Sequence, residues 1–235
     1  MKDALLFLTL TTASIGFILW YTIASSLRLP VRFQIMYDAN PPYVNRVIRR
    51  RILTGLIFAG IPLFLIFFTH LIERPSWHDL NISFAWNKIA WYAVIGVAVA
   101  IPILYYNIKS HASLEQYPEI RVRFWRPRIL FWSAMTWILH VFATEFFYRG
   151  LLFQSLLFKL DLWHAIVVCA AFYSLTHYFR RNRMTIAGIL WGVFSCWLTY
   201  HAGSLLPSII IHLGFCLFTE WFSIKHHMEM HVNRT

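Results

Sequence analysis

Ile129–Phe158, ILFWSAMTWILHVFATEFFYRGLLFQSLLF, is an apolar run of about thirty residues broken by one carboxylate and one guanidinium, Glu145 and Arg149. A hydrocarbon core of ~30 Å is crossed by about 20 helical residues, so the run is longer than one upright crossing needs. That length predicts a tilted helix, one kinked near Arg149-Gly150, or a crossing continued by an interfacial helix. A charged side chain in mid-bilayer costs roughly 3 kcal/mol or more and persists where it faces a bundle interior, pairs, or does chemistry. At i,i+4 spacing, Glu145 and Arg149 share a helix face and can close a salt bridge.

The rest of the chain has the same character. Of its 235 residues 59% are hydrophobic and 13% charged, and the mean hydropathy is +0.56. These values exclude an ordinary soluble domain and predict an all-α, polytopic helical membrane bundle. Seven apolar stretches are long enough to cross: Ala4–Leu27, Ile52–Ile72, Ile89–Ile108, Ile129–Phe158, Leu162–Phe179, Met184–Tyr200 and Ser204–Ile224. The first is too long for the apolar core of a signal peptide and ends in no clear cleavage site, so it is read as a retained span. Residues 1–128 form an N-terminal three-span region, and residues 129–235 a polar-seamed core with a short tail.

The formal charge of +11 is concentrated in alternate loops. Arg28, Arg32, Arg46, Arg49, Arg50 and Arg51 follow the first span, Lys109, Arg121, Arg123, Arg126 and Arg128 the third, and Arg180, Arg181 and Arg183 the fifth. The positive-inside rule makes that side cytoplasmic, with the N-terminus outside and the C-terminus inside. Such clusters suit anionic lipid headgroups rather than nucleic acid. A bacterial cytoplasmic membrane is the expected location. Cys169, Cys196 and Cys216 all fall within predicted spans, which argues against a disulfide framework. Pro62 and Pro102, inside spans two and three, are read as structural kinks. The histidine-rich end, His226-His227-Met228-Glu229-Met230-His231, is read as a solvated tail.

From Ile129 onward nearly every span carries a histidine or a carboxylate. Cys169, Tyr173 and His177 follow one another at i+4 in span five, and His212, Cys216 and Glu220 do so in span seven. An intramembrane imidazole needs a partner, and the members of this set are the available ones. A carboxylate with two histidines supports two chemistries. The carboxylate can act as general base on a water while a histidine orients it or donates to an oxyanion, which requires no cofactor. Alternatively, the histidines with a carboxylate or thiolate can hold a divalent metal such as zinc, although no tight ligand motif such as HExxH is present.

The ordered segments Thr144-Glu145-Phe146-Phe147-Tyr148-Arg149-Gly150, Tyr173-Ser174-Leu175-Thr176-His177 and His212-Leu213-Gly214-Phe215-Cys216 resemble the EExxxR, FxxxH and HxxxN/D motifs of the CAAX protease and bacteriocin-processing (CPBP, or Abi) intramembrane endopeptidases. The resemblance covers about Ile129–Ile224. It implies an intramembrane peptidase acting on a membrane-anchored protein or peptide. By position, His177 joins the base, His212 supplies the oxyanion contact, and Glu145 and Arg149 fill the second-glutamate and arginine places. Thr144 stands where the first glutamate belongs, Tyr173 where a phenylalanine does, and Cys216 where an Asn or Asp does. Glu145 must therefore take over the base, with His140, one turn before Thr144, as a possible substitute, or catalysis is lost and the chain is a membrane scaffold or regulator. Taking over Thr144's place requires a rotated or unwound helix, since adjacent residues stand ~100° apart at 3.6 residues per turn. A transporter is the third reading, weakened because the halves show no inverted repeat.

Overall fold

The computed structural model describes residues 2–26, 41–68, 80, 82–84, 86–114, 117–177 and 182–232. Arg28, Arg32, Arg180 and Arg181, read above as loop residues, lie outside the described residues. The architecture is an all-helical membrane bundle, as composition predicts. Helix α1 covers Lys2–Ser26. Helix α2 runs through Pro41–Gly55, Leu56–Gly60 and Ile61–Phe68, the middle segment being a π-helical turn. Helix α3 is Trp86–Ile108. Helix α4 joins Pro127–Glu145, a π-helical stretch Phe146–Leu152, and Phe153–Leu157. Helices α5, α6 and α7 are Leu162–Leu175, Asn182–Ala202 and Leu206–His226.

Five of these, Asp3–Thr22, Tyr43–Phe68, Trp86–Tyr106, Pro127–Leu157 and Leu206–His226, are long and apolar enough to cross a membrane, and α5 is a shorter apolar helix. The chain is an integral multi-pass membrane protein. Its outer surface carries exposed Phe7, Phe64, Trp91, Val94 and Val167, as a bundle solvated by lipid tails requires.

The long central run is one helix, α4, packed against α2, α7 and α1. Every residue of Phe146–Leu152 is buried. A π-helical turn adds a residue to the turn and so rotates everything downstream relative to a regular α-helix. Here Phe146, Phe147, Tyr148, Leu151, Leu152 and Phe153 all reach one core, which also holds Phe58, Cys169, Tyr173 and Cys196. Helices α5 and α6 touch so closely that a Cβ on Gly192 would lie 2.9 Å from Ala170 Cα. Gly203, at φ +62°, makes the tight turn between α6 and α7.

Two readings from sequence change. Arg46, Arg49, Arg50 and Arg51 do not lie in a loop, because α2 opens at Pro41, where the missing N–H costs nothing. Tyr43, Val44 and Val47 pack inward from this first part of α2 while Arg46 and Arg49 stay exposed. Arg51 is buried rather than facing headgroups. The C-terminal residues are not simply a solvated tail either. His227 Nε2 lies 3.1 Å from the Tyr117 carbonyl oxygen, Met230 is buried, and His231–Val232 (β2) pairs in parallel with Phe124–Trp125 (β1). Half-burial of the His227 imidazole disfavours its charged form and lowers its pKa from the usual histidine value.

Candidate active site

Residues of five helices, together with Tyr117, line a cavity of about 70 Å³. A single water needs only ~10–15 Å³, so the space admits a small cluster of waters. His140 and Thr144 of α4, Tyr173 of α5, Thr176 and His177 just beyond it, and His212 and Cys216 of α7 form one side. Trp20 of α1, Thr54 and Phe58 of α2, and Tyr117 enclose the other. Helices α1 and α2 are therefore walls of the cavity.

Glu145 is wholly buried behind this lining. Its Oε1 lies 2.6 Å from His212 Nδ1 and accepts from Trp191 Nε1 at 3.1 Å, while Oε2 lies 3.3 Å from Arg149 Nε. The Arg149 guanidinium is also wholly buried, stands 4.3 Å over the Tyr173 ring and donates to Ser195 Oγ. Ionised Glu145 can only accept, so the bond to His212 puts the imidazole proton on Nδ1 and leaves Nε2 as a lone pair in the neutral ring. The guanidinium compensates the buried carboxylate, which would otherwise be unsupportable in an apolar surround.

The residues singled out in the sequence fall into two layers. Glu145 and Arg149 stand behind the cavity, while Thr144, Tyr173, His177, His212, Cys216 and His140 line it. Thr144 lines the cavity and Glu145 does not, and His212 of α7 meets Glu145 behind it. The Thr144 hydroxyl donates back to the His140 and Val141 carbonyls at 3.0 Å. Thr176 Oγ1 lies 2.9 Å from His177 Nδ1, and the Tyr173 ring sits between the two motif histidines, 5.0 Å from the His177 ring and 6.4 Å from that of His212. Cys169 turns from the cavity and donates to the Tyr148 carbonyl at 3.1 Å. Among the described residues no group of three or more His, Cys, Asp or Glu side chains is gathered as metal ligands.

Glu220 leaves the His212–Cys216 stripe for a second buried cluster. Arg51 Nη2 lies 3.0 Å from Glu220 Oε1 and 3.1 Å from Glu119 Oε2, and Nη1 reaches Ser133. Glu220 Oε2 accepts the Glu119 backbone N–H at 2.9 Å, and Arg51 stacks 3.9 Å over Trp137, itself a cavity residue. Sequence reading missed this cluster, as it missed Trp191 and Ser195. A tryptophan and a serine in an apolar helix carry no charge to draw attention.

Residues 126–218 match the family described as Rce1-like, type II CAAX prenyl endopeptidase. Those residues are thus similar to an Rce1-like domain of the CPBP group. No curated protein and no solved structure matches the chain. The matched stretch spans Glu145, Arg149, His177 and His212 together, and stops short of Glu220 and the C-terminal contacts. Helices α1 to α3 lie outside it.

Proposed function

We propose that the protein is an intramembrane CAAX-type endopeptidase that hydrolyses a peptide bond in or next to a membrane-anchored segment, using water activated by a Glu145–His212 dyad. The observation that carries this reading is the 2.6 Å contact between Glu145 Oε1 and His212 Nδ1, with His212 lining a cavity sized for water. In this mechanism His212 Nε2 takes a proton from water as its oxygen attacks the scissile carbonyl carbon. Glu145 stays ionised and stabilises the imidazolium. When the tetrahedral adduct collapses, the C–N bond breaks and Nε2–H passes its proton to the leaving amine. His177, across Tyr173, is the donor to the developing oxyanion. Arg149 holds Glu145 in its charged form. This exchanges the roles that the family resemblance gives His177 and His212, because Glu145 reaches only the latter. No step requires a metal, and a bound divalent ion remains the competing source of an activated water.

The basic residues on one side of the bundle support an orientation with the C-terminus cytoplasmic and with Arg46 and Arg49 against anionic headgroups. The test is cleavage of a membrane-anchored reporter by purified protein in liposomes, with His212→Gln as control. Cleavage lost in the variant supports the reading, and equal cleavage by both overturns it.

One observation favours a second reading, an inactive relative that binds a membrane segment. Among the described residues no carboxylate lines the cavity, and the Thr144 hydroxyl is committed to its own helix. On that reading the wild type does not cleave, and Thr144→Glu combined with Cys216→Asn creates activity.

A further inference from the structure

Trp191 and Ser195 stand one turn apart on α6 and meet Glu145 and Arg149, one turn apart on α4, rung for rung. Trp191 Nε1 donates to Glu145 Oε1 at 3.1 Å, and Ser195 Oγ accepts from Arg149 Nη2. The two rungs are joined along α6, because Ser195 Oγ donates its only proton to the Trp191 carbonyl at 2.7 Å. Its lone pairs are thereby left to the guanidinium. The backbone behind is fixed as well: Ser208 Oγ of α7 donates to the Ser195 carbonyl at 3.1 Å, and Gly192 lets α6 close onto α5. The Trp191 ring packs against the His212 ring at 5.1 Å and the Phe215 ring at 5.3 Å. It thus touches both members of the dyad.

We infer that Trp191 and Ser195 are positioning residues for the Glu145–His212 dyad. This rests on the endopeptidase reading for its functional consequence, but not for its geometry. Glu145 Oε1 receives two donors, the indole N–H and the imidazole N–H. The indole is neutral and rigid, and so fixes the carboxylate's rotation without competing for its charge. Ser195 does the same for Arg149, whose Nε lies against Oε2. Without the indole donor the buried carboxylate can turn about its last torsion, and the imidazole it holds loses its fixed direction into the cavity.

Trp191→Phe keeps the ring and removes the donor; Ser195→Ala removes the acceptor and Ser195→Thr restores it. A hydrogen bond to a charged group is worth enough that losing the indole donor lowers kcat about tenfold. KM is expected to be unchanged, Ser195→Ala to lose a similar factor, and Ser195→Thr to recover it. A purely structural role would instead lower the folded yield and leave the specific kcat of the folded fraction intact. A second readout needs no activity. The His212 Nδ1–H proton, identified in the nuclear magnetic resonance spectrum by its absence in His212→Gln, shifts in Trp191→Phe. It stays in place in a control change at exposed Trp163, Trp163→Phe. If the wild type cleaves nothing, the endopeptidase reading fails while the resonance still decides the positioning claim. An unmoved resonance in Trp191→Phe, or a wild-type kcat in that variant, overturns it.

Discussion

Glu145 Oε1 and His212 Nδ1 lie 2.6 Å apart although the residues are separated by 67 positions and sit on different helices. Both sit on helices long and apolar enough to cross a membrane, and Glu145 is wholly buried. A contact of that length in such a place orients an imidazole. Thr144, its neighbour in the chain, faces the cavity yet spends its hydroxyl on backbone carbonyls.

Thr144 is therefore expected to be replaceable. Thr144→Ala should cleave within about twofold of wild type, whereas a group acting on the reacting atoms contributes ~100-fold or more. Reporter cleavage in liposomes checks this. A loss in Thr144→Ala as large as that in Glu145→Gln would return the central role to the Thr144 position.

The Arg51 cluster makes a stability prediction. Removing one member of a buried ion cluster leaves charge uncompensated and costs about 3–5 kcal/mol. Arg51→Met alone should lower the thermal unfolding midpoint in detergent sharply, since Glu119 and Glu220 lose their shared cation. Arg51→Met combined with Glu119→Gln and Glu220→Gln should recover much of the loss. Strict additivity of the three changes would show that the cluster is not energetically coupled.

Asp161 caps α5. Its Oδ1 accepts the Trp163 and His164 backbone N–H groups at 3.1 and 3.3 Å, and Oδ2 lies 2.5 Å from His164 Nδ1. The His164 side chain, followed by its backbone N–H, holds the carboxyl below its ordinary value of 3.8. A carboxyl that binds protons less readily folded than unfolded stabilises the fold above its unfolded value and loses that effect as pH falls through its folded one. Asp161→Ala should thus lower the unfolding midpoint at neutral pH, and the difference from wild type should shrink as pH drops below about 3.8, measured by thermal scans across that range. A difference independent of pH would show that the charge plays no part in the cap.

Much of the fold was legible because lipid imposes a single rule, that backbone polar groups be satisfied within helices, and apolar length reports it directly. The length of Ile129–Phe158 left open a tilted helix, a kinked one, or a crossing continued by an interfacial helix; the structure has continuous helix over Pro127–Leu157, with a π-helical stretch at Phe146–Leu152. The Glu145–Arg149 pair was legible from i,i+4 spacing alone. The start of α2 was not, because Arg46, Arg49, Arg50 and Arg51 lower the local hydropathy of a helix whose other face, Tyr43, Val44 and Val47, is buried. Glu220 followed His212 and Cys216 at helical spacing, but its partner comes from α2, which spacing within α7 cannot reveal. The Trp191 contact depends on how α6 packs against α4, which no pattern within α6 alone reveals.

The central claim is that Glu145 works through His212 to hydrolyse a peptide bond. Its most direct test is single-turnover cleavage of a membrane-anchored CAAX-type reporter in liposomes by wild type and Glu145→Gln, with folded yield matched. Glutamine keeps the shape and removes the charge that holds the imidazolium, so the rate constant for cleavage should fall about 100-fold or more. Cleavage by Glu145→Gln at the wild-type rate would contradict the account.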